Sequence, residues 1–132
     1  MHVLVTGGAG YIGSHACKAL AESGYVPVTY DNMSTGRRGA VNWGPLEVGD
    51  LADKAHLASV FAKYQPVAVM HFAAAIEVGE SVLDPGKYWM NNFFGSLSLA
   101  EAMVEAGCLN IVFSSTCAVY DGNTTEDLTE DS

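Results

Sequence analysis

The chain has 132 residues, 49% hydrophobic and 16% charged, which describes one globular domain and excludes a disordered or low-complexity polypeptide. Fifteen acids against six bases give a formal net charge of −9, which opposes nucleic acid and anionic membrane surfaces, so neither is an expected partner. No apolar run approaches the ~20 residues of a membrane span, and a first strand beginning at His2 or Val3 leaves no room for a signal peptide, so a cytoplasmic protein is expected.

Val3-Leu4-Val5 is a short apolar run of the kind that forms a strand buried on both faces. Gly7, Gly8, Gly10 and Gly13 follow, and helical periodicity begins at once. Ile12, Ala16, Ala19 and Leu20 are expected on one face of that helix, with Gly24 at its C-terminal cap. Gly8, Gly10 and Gly13 match G-x-G-x-x-G, while Gly7, Gly10 and Gly13 match G-x-x-G-x-x-G. Glycines at such positions allow a tight turn, close backbone approach to a pyrophosphate and tight helix–strand packing. Free N–H groups at the helix start then point at the phosphates.

The next run, Tyr25 to Tyr30, ends at Asp31, where a dinucleotide-binding unit places an acid to accept bonds from the adenosine ribose. Alone, Asp31 is an ordinary loop acid; with the glycines and both strands it predicts cofactor binding. An acid there would repel a 2′-phosphate, so NAD is expected rather than NADP, despite Arg37 and Arg38 in the polar loop that follows. Leu46-Glu47-Val48 is a third strand, leading into Gly49-Asp50-Leu51. Asp50 either reaches the adenine or caps the helix that starts near Asp53. That helix carries Ala55, Leu57, Ala58, Val60 and Phe61 and ends before Pro66.

Val67 to His71 reads as a continuous buried fourth strand, followed by the small residues Ala73, Ala74 and Ala75. With right-handed crossovers this strand pairs beside the first, so the Phe72–Ala74 turn faces the glycine loop. Val78-Gly79-Glu80-Ser81 is expected to continue that loop, and Asp84-Pro85 to open a long helix to about Ala106. Asn91 and Asn92 lower the stability of such a helix. Either one of them bonds the cofactor or the next loop, or both form an exposed polar turn. Ile111-Val112-Phe113 is the fifth strand, and Ser114-Ser115-Thr116 places hydroxyls at the carboxyl edge of the sheet. From Asp121 onward the composition is acidic and polar without periodicity. The domain is therefore expected over residues 1–120, with 121–132 as an acidic loop. The predicted fold is α/β, a doubly wound Rossmann-like parallel sheet cut short after about five strands. Cys17, Cys108 and Cys117 form no C-x-x-C pair and are expected as reduced thiols; the four histidines show no ligand spacing and are expected to be structural or exposed, with no metal.

Thr6-Gly7-Gly8-Ala9-Gly10-Tyr11-Ile12-Gly13-Ser14-His15, Asp31-Asn32, Gly49-Asp50-Leu51, His71-Phe72-Ala73-Ala74, Val78-Gly79-Glu80-Ser81, Asn91-Asn92 and Phe113-Ser114-Ser115-Thr116 resemble, in order and spacing, the extended short-chain dehydrogenase/reductases. Within that family the chain is similar to the branch that epimerises UDP-hexoses at C4, such as UDP-glucose and UDP-galactose. The resemblance implies an isomerase in which NAD takes a hydride from C4, the 4-keto sugar turns over, and the hydride returns to its other face. It implies that Gly7, Gly10, Tyr11, Ile12, Gly13, Asp31, Asn32, Asp50, Leu51, Phe72, Ala73, Ala74, Asn91 and Ser114 line the NAD. Thr116 is implied as the catalytic hydroxyl that bonds the sugar O4.

Three departures stand beside the resemblance. Ile76 occupies a position where some members carry a basic residue, and Tyr120 is followed by Asp121 before Gly122. No Tyr-x-x-x-Lys follows Thr116, although the family's base and its lysine partner form that motif. The chain is therefore expected to be the inactive cofactor half of an epimerase, with an apolar surface that favours a homodimer or other self-association. Alternatives are a non-catalytic NAD-binding or redox-sensing module, and part of a sugar-nucleotide 4,6-dehydratase. A dehydratase needs an acid and a base directly after the threonine, where this chain has Cys117 and Ala118.

Overall fold

The computed structural model describes residues 1–116, 119, 120 and 129. Five parallel strands form one sheet in the order β3-β2-β1-β4-β5. They are β1 (His2–Thr6), β2 (Val26–Asp31), β3 (Leu46–Val48), β4 (Ala68–His71) and β5 (Ile111–Phe113). β1 is the central strand, paired in register with β2 from His2↔Val26 to Thr6↔Tyr30 and with β4 from Val3↔Ala68 to Thr6↔His71. The chain moves outward from β1 to β3 and then returns to the far side of β1 for β4. With right-handed crossovers, that reversal places the connecting helices on opposite faces. Helix α1 (Tyr11–Glu22) covers one face; α2 (Lys54–Tyr64) and α5 (Gly95–Glu105) cover the other. The Rossmann-like doubly wound sheet expected from the sequence is what forms.

The pleat divides the strand residues between two cores. Leu4, Val28, Tyr30 and Val69 pack with Leu57, Val60 and Phe61 of α2 and with Leu99, Ala102 and Met103 of α5. Val3 and Val5 point the other way, onto Cys17 of α1. This is why β1 reads as an unbroken apolar run: both of its faces are covered.

Four local expectations differ from the structure. The buried stripe of α1 is Gly13 and Cys17 with part of Leu20, while Ile12 is 63% exposed and Ala19 is exposed. Gly13 lets the start of the helix lie directly on the backbone of Gly7 and Gly8, so the contact falls on the small side of the helix. Val78–Leu83 is a helix (α3) rather than loop, stabilised by Lys87 and the Tyr88 hydroxyl, both of which bond Glu80. The long helix opened by Asp84 and Pro85 does run on, but not uniformly. α4 (Pro85–Tyr88) passes into a π turn at Trp89–Phe94, with helical dihedrals at both junctions, before α5 begins. β4 also starts one residue later than the apolar run, since Val67 is exposed. The expected boundary at residue 120 and the acidic loop after it, together with Cys117, fall almost entirely outside the described residues.

Candidate functional site

Five strands pointing the same way gather their carboxyl ends at one edge, and the reversal between β1 and β4 opens a crevice there. The glycine turn forms one wall. Gly7 sits at φ 71°, and its N–H donates to the Tyr30 carbonyl at 2.9 Å. A Cβ on Gly7 would lie 2.7 Å from the Ala73 nitrogen and 2.8 Å from the Phe72 carbonyl carbon. The turn after β4 therefore touches the glycine turn backbone to backbone, as the strand order requires. A Cβ on Gly13 would fall on the Gly7 carbonyl oxygen, so turn and helix are in contact too.

The start of α1 has no side-chain cap. Gly10 is the N-cap, and no acid lies in the first turn. By contrast, α2 begins on Asp53, which accepts the His56 N–H at 3.0 Å, and α4 begins on Asp84, which accepts the Lys87 N–H at 3.1 Å. Tyr11 and Ile12 stand exposed beside the open turn. The orphan N–H groups and the positive end of the helix dipole thus face the crevice without a protein partner capping them by side chain.

Asp31 closes the β2 end of the site and is only 8% exposed. One carboxylate oxygen accepts the Ala9 N–H at 3.0 Å and the other accepts the Met33 N–H at 2.9 Å. It therefore ties the glycine turn to the loop after β2, a role the sequence did not suggest. The Arg37 N–H adds a bond to the Ala9 carbonyl at 3.0 Å. Asn32 donates to the Asp50 carboxylate at 3.1 Å, and the other oxygen of Asp50 accepts the Ala52 N–H at 2.9 Å. Of the two readings of Asp50, the helix cap is overturned: Asp53 does that. The Tyr30 hydroxyl donates to the Asp50 carbonyl at 2.8 Å. Burial first, then the nearby Asp53, Asp50 and Glu47 carboxylates, push the phenol up to about 12, so it stays a donor at any ordinary pH. Leu51 is in the core, its side chain packed where a Cβ on Gly95 would sit.

On the β4 side, the two asparagines fall within the π turn. Asn92 accepts the Ala75 N–H at 2.8 Å and donates to the Ala75 carbonyl at 2.9 Å. Asn91 donates to the Asn92 side-chain oxygen at 2.8 Å. So one asparagine does bond a neighbouring loop, but the loop is the one after β4. Behind them lies a polar chain that sequence reasoning missed. Thr6 Oγ1 is 2.6 Å from His71 Nδ1, His71 Nε2 is 2.8 Å from Ser96 Oγ, and Ser96 Oγ donates to the Asn92 carbonyl at 2.6 Å. His71 is 3% exposed, and burial pulls its imidazole below the ordinary histidine value, so it is neutral at pH 7. The available signal was two polar residues, Thr6 and His71, ending adjacent apolar strands.

Ser114 and Thr116 follow β5 at the same edge and are exposed. The Ser114 N–H reaches the His71 carbonyl at 3.3 Å, and the Thr116 carbonyl accepts the Val119 N–H at 3.4 Å. Cys117, Ala118, Asp121, Gly122 and Glu126 lie outside the described residues. Cys17 and Cys108 are free and buried, and burial pushes both thiols up, which makes them unreactive. Among the described residues, no group of three or more His, Cys, Asp or Glu side chains is placed to hold a metal, and no helix is long and apolar enough to cross a membrane.

A family model described as the NAD dependent epimerase/dehydratase family matches residues 3–132. The chain is 58% identical over 118 residues to a UDP-glucose 4-epimerase of Rhizobium leguminosarum bv. trifolii, covering 89% of this chain and 36% of that protein. A crystal structure of UDP-glucose 4-epimerase from Brucella ovis in complex with NAD is 51% identical, with a TM-score of 0.91, over 98% of this chain and 40% of that one. The UDP-Glc/GlcNAc 4-epimerase from Campylobacter jejuni is 34% identical with a TM-score of 0.87, over 98% and 41%. The chain thus spans well under half the length of the relatives it matches.

Proposed function

The chain belongs to the NAD dependent epimerase/dehydratase family, and from that premise we propose that it is the NAD-binding, N-terminal part of a UDP-glucose/UDP-galactose 4-epimerase. The observation that carries this reading is the open first turn of α1 with the buried Asp31 carboxylate beside it. A pyrophosphate needs backbone donors that no side chain occupies, and the turn offers them at the positive end of a helix. A ribose needs an acceptor for its hydroxyls, and Asp31 is held at the end of β2 by two backbone bonds that leave its remaining lone pairs for a ligand. Gly7 and Gly13 let the turn, the Phe72–Ala73 peptide and the start of α1 meet backbone to backbone, with no side chain of their own in the turn. The residues present therefore fit a dinucleotide.

In this proposal Gly7, Gly10, Tyr11, Ile12 and Gly13 take the pyrophosphate, and Asp31, Asn32 and Asp50 take the adenosine. Phe72, Ala73, Ala74, Asn91 and Ser114 form the half beyond β4, and Leu51 contributes packing. Bound NAD would supply a hydride acceptor for C4 of the sugar. Thr116 would bond the sugar O4 and hold its proton in place for removal. No Tyr-x-x-x-Lys follows Thr116 here, and a general base must lie within hydrogen-bond reach of the proton it takes. The partner is a UDP-hexose in the longer protein. The exposed aromatic face of the π turn supports self-association, a homodimer in the simplest case. The proposal also includes a cytoplasmic location.

Titration with NAD and NADP tests the cofactor reading. NAD is expected to bind more tightly, and Asp31→Ala to weaken it about ten-fold or more, since charge-assisted bonds are worth roughly 1.5–3 kcal/mol each. Tighter binding of NADP would overturn the assignment and turn attention to Arg37 and Arg38. With UDP-galactose and added NAD, the 132-residue chain is expected to give no UDP-glucose above background. Turnover by this chain alone would show that the base has been misplaced, and a 4-keto-6-deoxy product from the longer protein would favour the dehydratase.

A further inference from the structure

A single proton sets the directions of the hydrogen bonds behind the β4 wall. The Ser96 hydroxyl has a single proton, and it goes to the Asn92 carbonyl at 2.6 Å. Toward His71, Ser96 can therefore only accept, so His71 Nε2 carries the imidazole proton. Nδ1 is then bare and must accept, so the Thr6 hydroxyl donates to it. The result is an ordered chain running from the last residue of β1, through the last residue of β4, into α5 and the π turn. At its far end the Asn92 side chain pairs with both backbone groups of Ala75.

Each link sits where a shift would be felt. Thr6 immediately precedes Gly7, and Thr6 and His71 are partners across the β1–β4 pairing. A serine bonded back to the carbonyl one turn earlier bends a helix, and the π turn lies at that place. Within the π turn Asn92 lies against Ala75, which follows the Phe72–Ala74 turn that touches the glycine turn.

We propose that Thr6, His71 and Ser96 are positioning residues that hold the π turn in register, so that Asn92 fixes the Ala75 backbone and with it the wall of the site on the β4 side. This rests on the cofactor reading above insofar as that wall takes the nicotinamide half. The adenosine half lies across β1, between β2 and β3, and does not depend on the chain.

Amide hydrogen exchange and ligand titration on the same variants test it. In Asn92→Ala and in Ser96→Ala, the Ala75 amide is expected to exchange at least ten-fold faster, with Leu4 in β1 unchanged. Nitrogen-15 NMR of the His71 ring should show Nε2 protonated and Nδ1 bare. NAD should bind five- to ten-fold more weakly to Ser96→Ala, whereas AMP, which fills only the β2 side, should stay within two-fold. The double variant should bind NAD no more weakly than Asn92→Ala alone, because both changes act on one path. Ser96→Thr, which keeps the hydroxyl, should restore Ala75 protection. Equal weakening of NAD and AMP, an unchanged Ala75 amide in Ser96→Ala, an additive double variant, or a proton on Nδ1 would each overturn the proposal. Failure of the unaltered chain to bind either ligand would instead defeat the cofactor reading, while the exchange and NMR results would still decide the positioning.

Discussion

Single residues at the crevice are constrained by contact with backbone rather than by their own chemistry. Gly7 combines a left-handed φ of 71° with a neighbouring peptide 2.7 Å from where a Cβ would stand. Gly7→Ala is therefore expected to cost roughly 2–4 kcal/mol, from strain and overpacking together, read as a lower midpoint in urea unfolding. Gly24 has a similar φ of 84° but open space around it. Gly24→Ala should cost less, from backbone strain alone, and equal losses at the two positions would argue against the close approach of the two turns. Asp31 shows the same principle in a charged residue. The sequence marked it as a ligand for ribose, yet in the structure its first task is to accept the Ala9 and Met33 amides. A carboxylate already held in this way is pre-organised for a ligand.

The elements follow from hydropathy patterns wherever a strand or helix is covered on the faces the pattern implies. β1, β2, β3, α2 and β5 lie where the sequence places them, because each has turn residues or a cap at its ends. Asp53 and Pro66 bracket α2 in this way. What was not legible depends on partners distant in the chain. The packed face of α1 is set by Gly13 meeting Gly7, and no periodicity of apolar residues reports such a contact. The π turn has no hydropathy signature, and the Ser96–Asn92 bond at its end, with its tie to His71, becomes visible only once β4 and α5 are adjacent. At the β3–α2 corner, Glu47 accepts from Lys63 at 2.7 Å and from the Tyr64 hydroxyl at 2.6 Å, and lies 3.7 Å from His56. The bond from Lys63 first, then that from Tyr64, holds its carboxyl below the ordinary value of 4.5. A depressed folded-state value means the contribution is complete above that pH and is lost as pH falls below it. Stability should therefore drop on acidification below about pH 4.5, and Glu47→Gln should flatten that part of the profile. An unchanged slope in the variant would show that other carboxylates govern acid unfolding.

At the scale of the whole molecule, apolar surface is unevenly spread. Trp89, Met90, Phe93 and Phe94 of the π turn are exposed together with Leu97 of α5, and all three residues of β5 are exposed at the sheet edge. An apolar patch of this kind favours association, and among the described residues no strand pairs with the outer edge of β5. Light scattering across a concentration series is expected to show dimers or larger species, with Phe93→Glu shifting the chain toward monomer. A monomer at all concentrations would remove the proposed self-association. The central place of β1 has a further consequence, in the timing of synthesis. Its hydrogen-bonded partner Thr6–His71 joins residues 65 apart. At the usual pace of about 5–20 residues per second, β1 waits roughly 3–13 seconds after its own synthesis for its second neighbour. During that interval one of its edges is covered by β2 and the other is bare. A newborn chain is thus most vulnerable at the strand that ends up best protected, and a holding chaperone would have most to do before β4 leaves the ribosome.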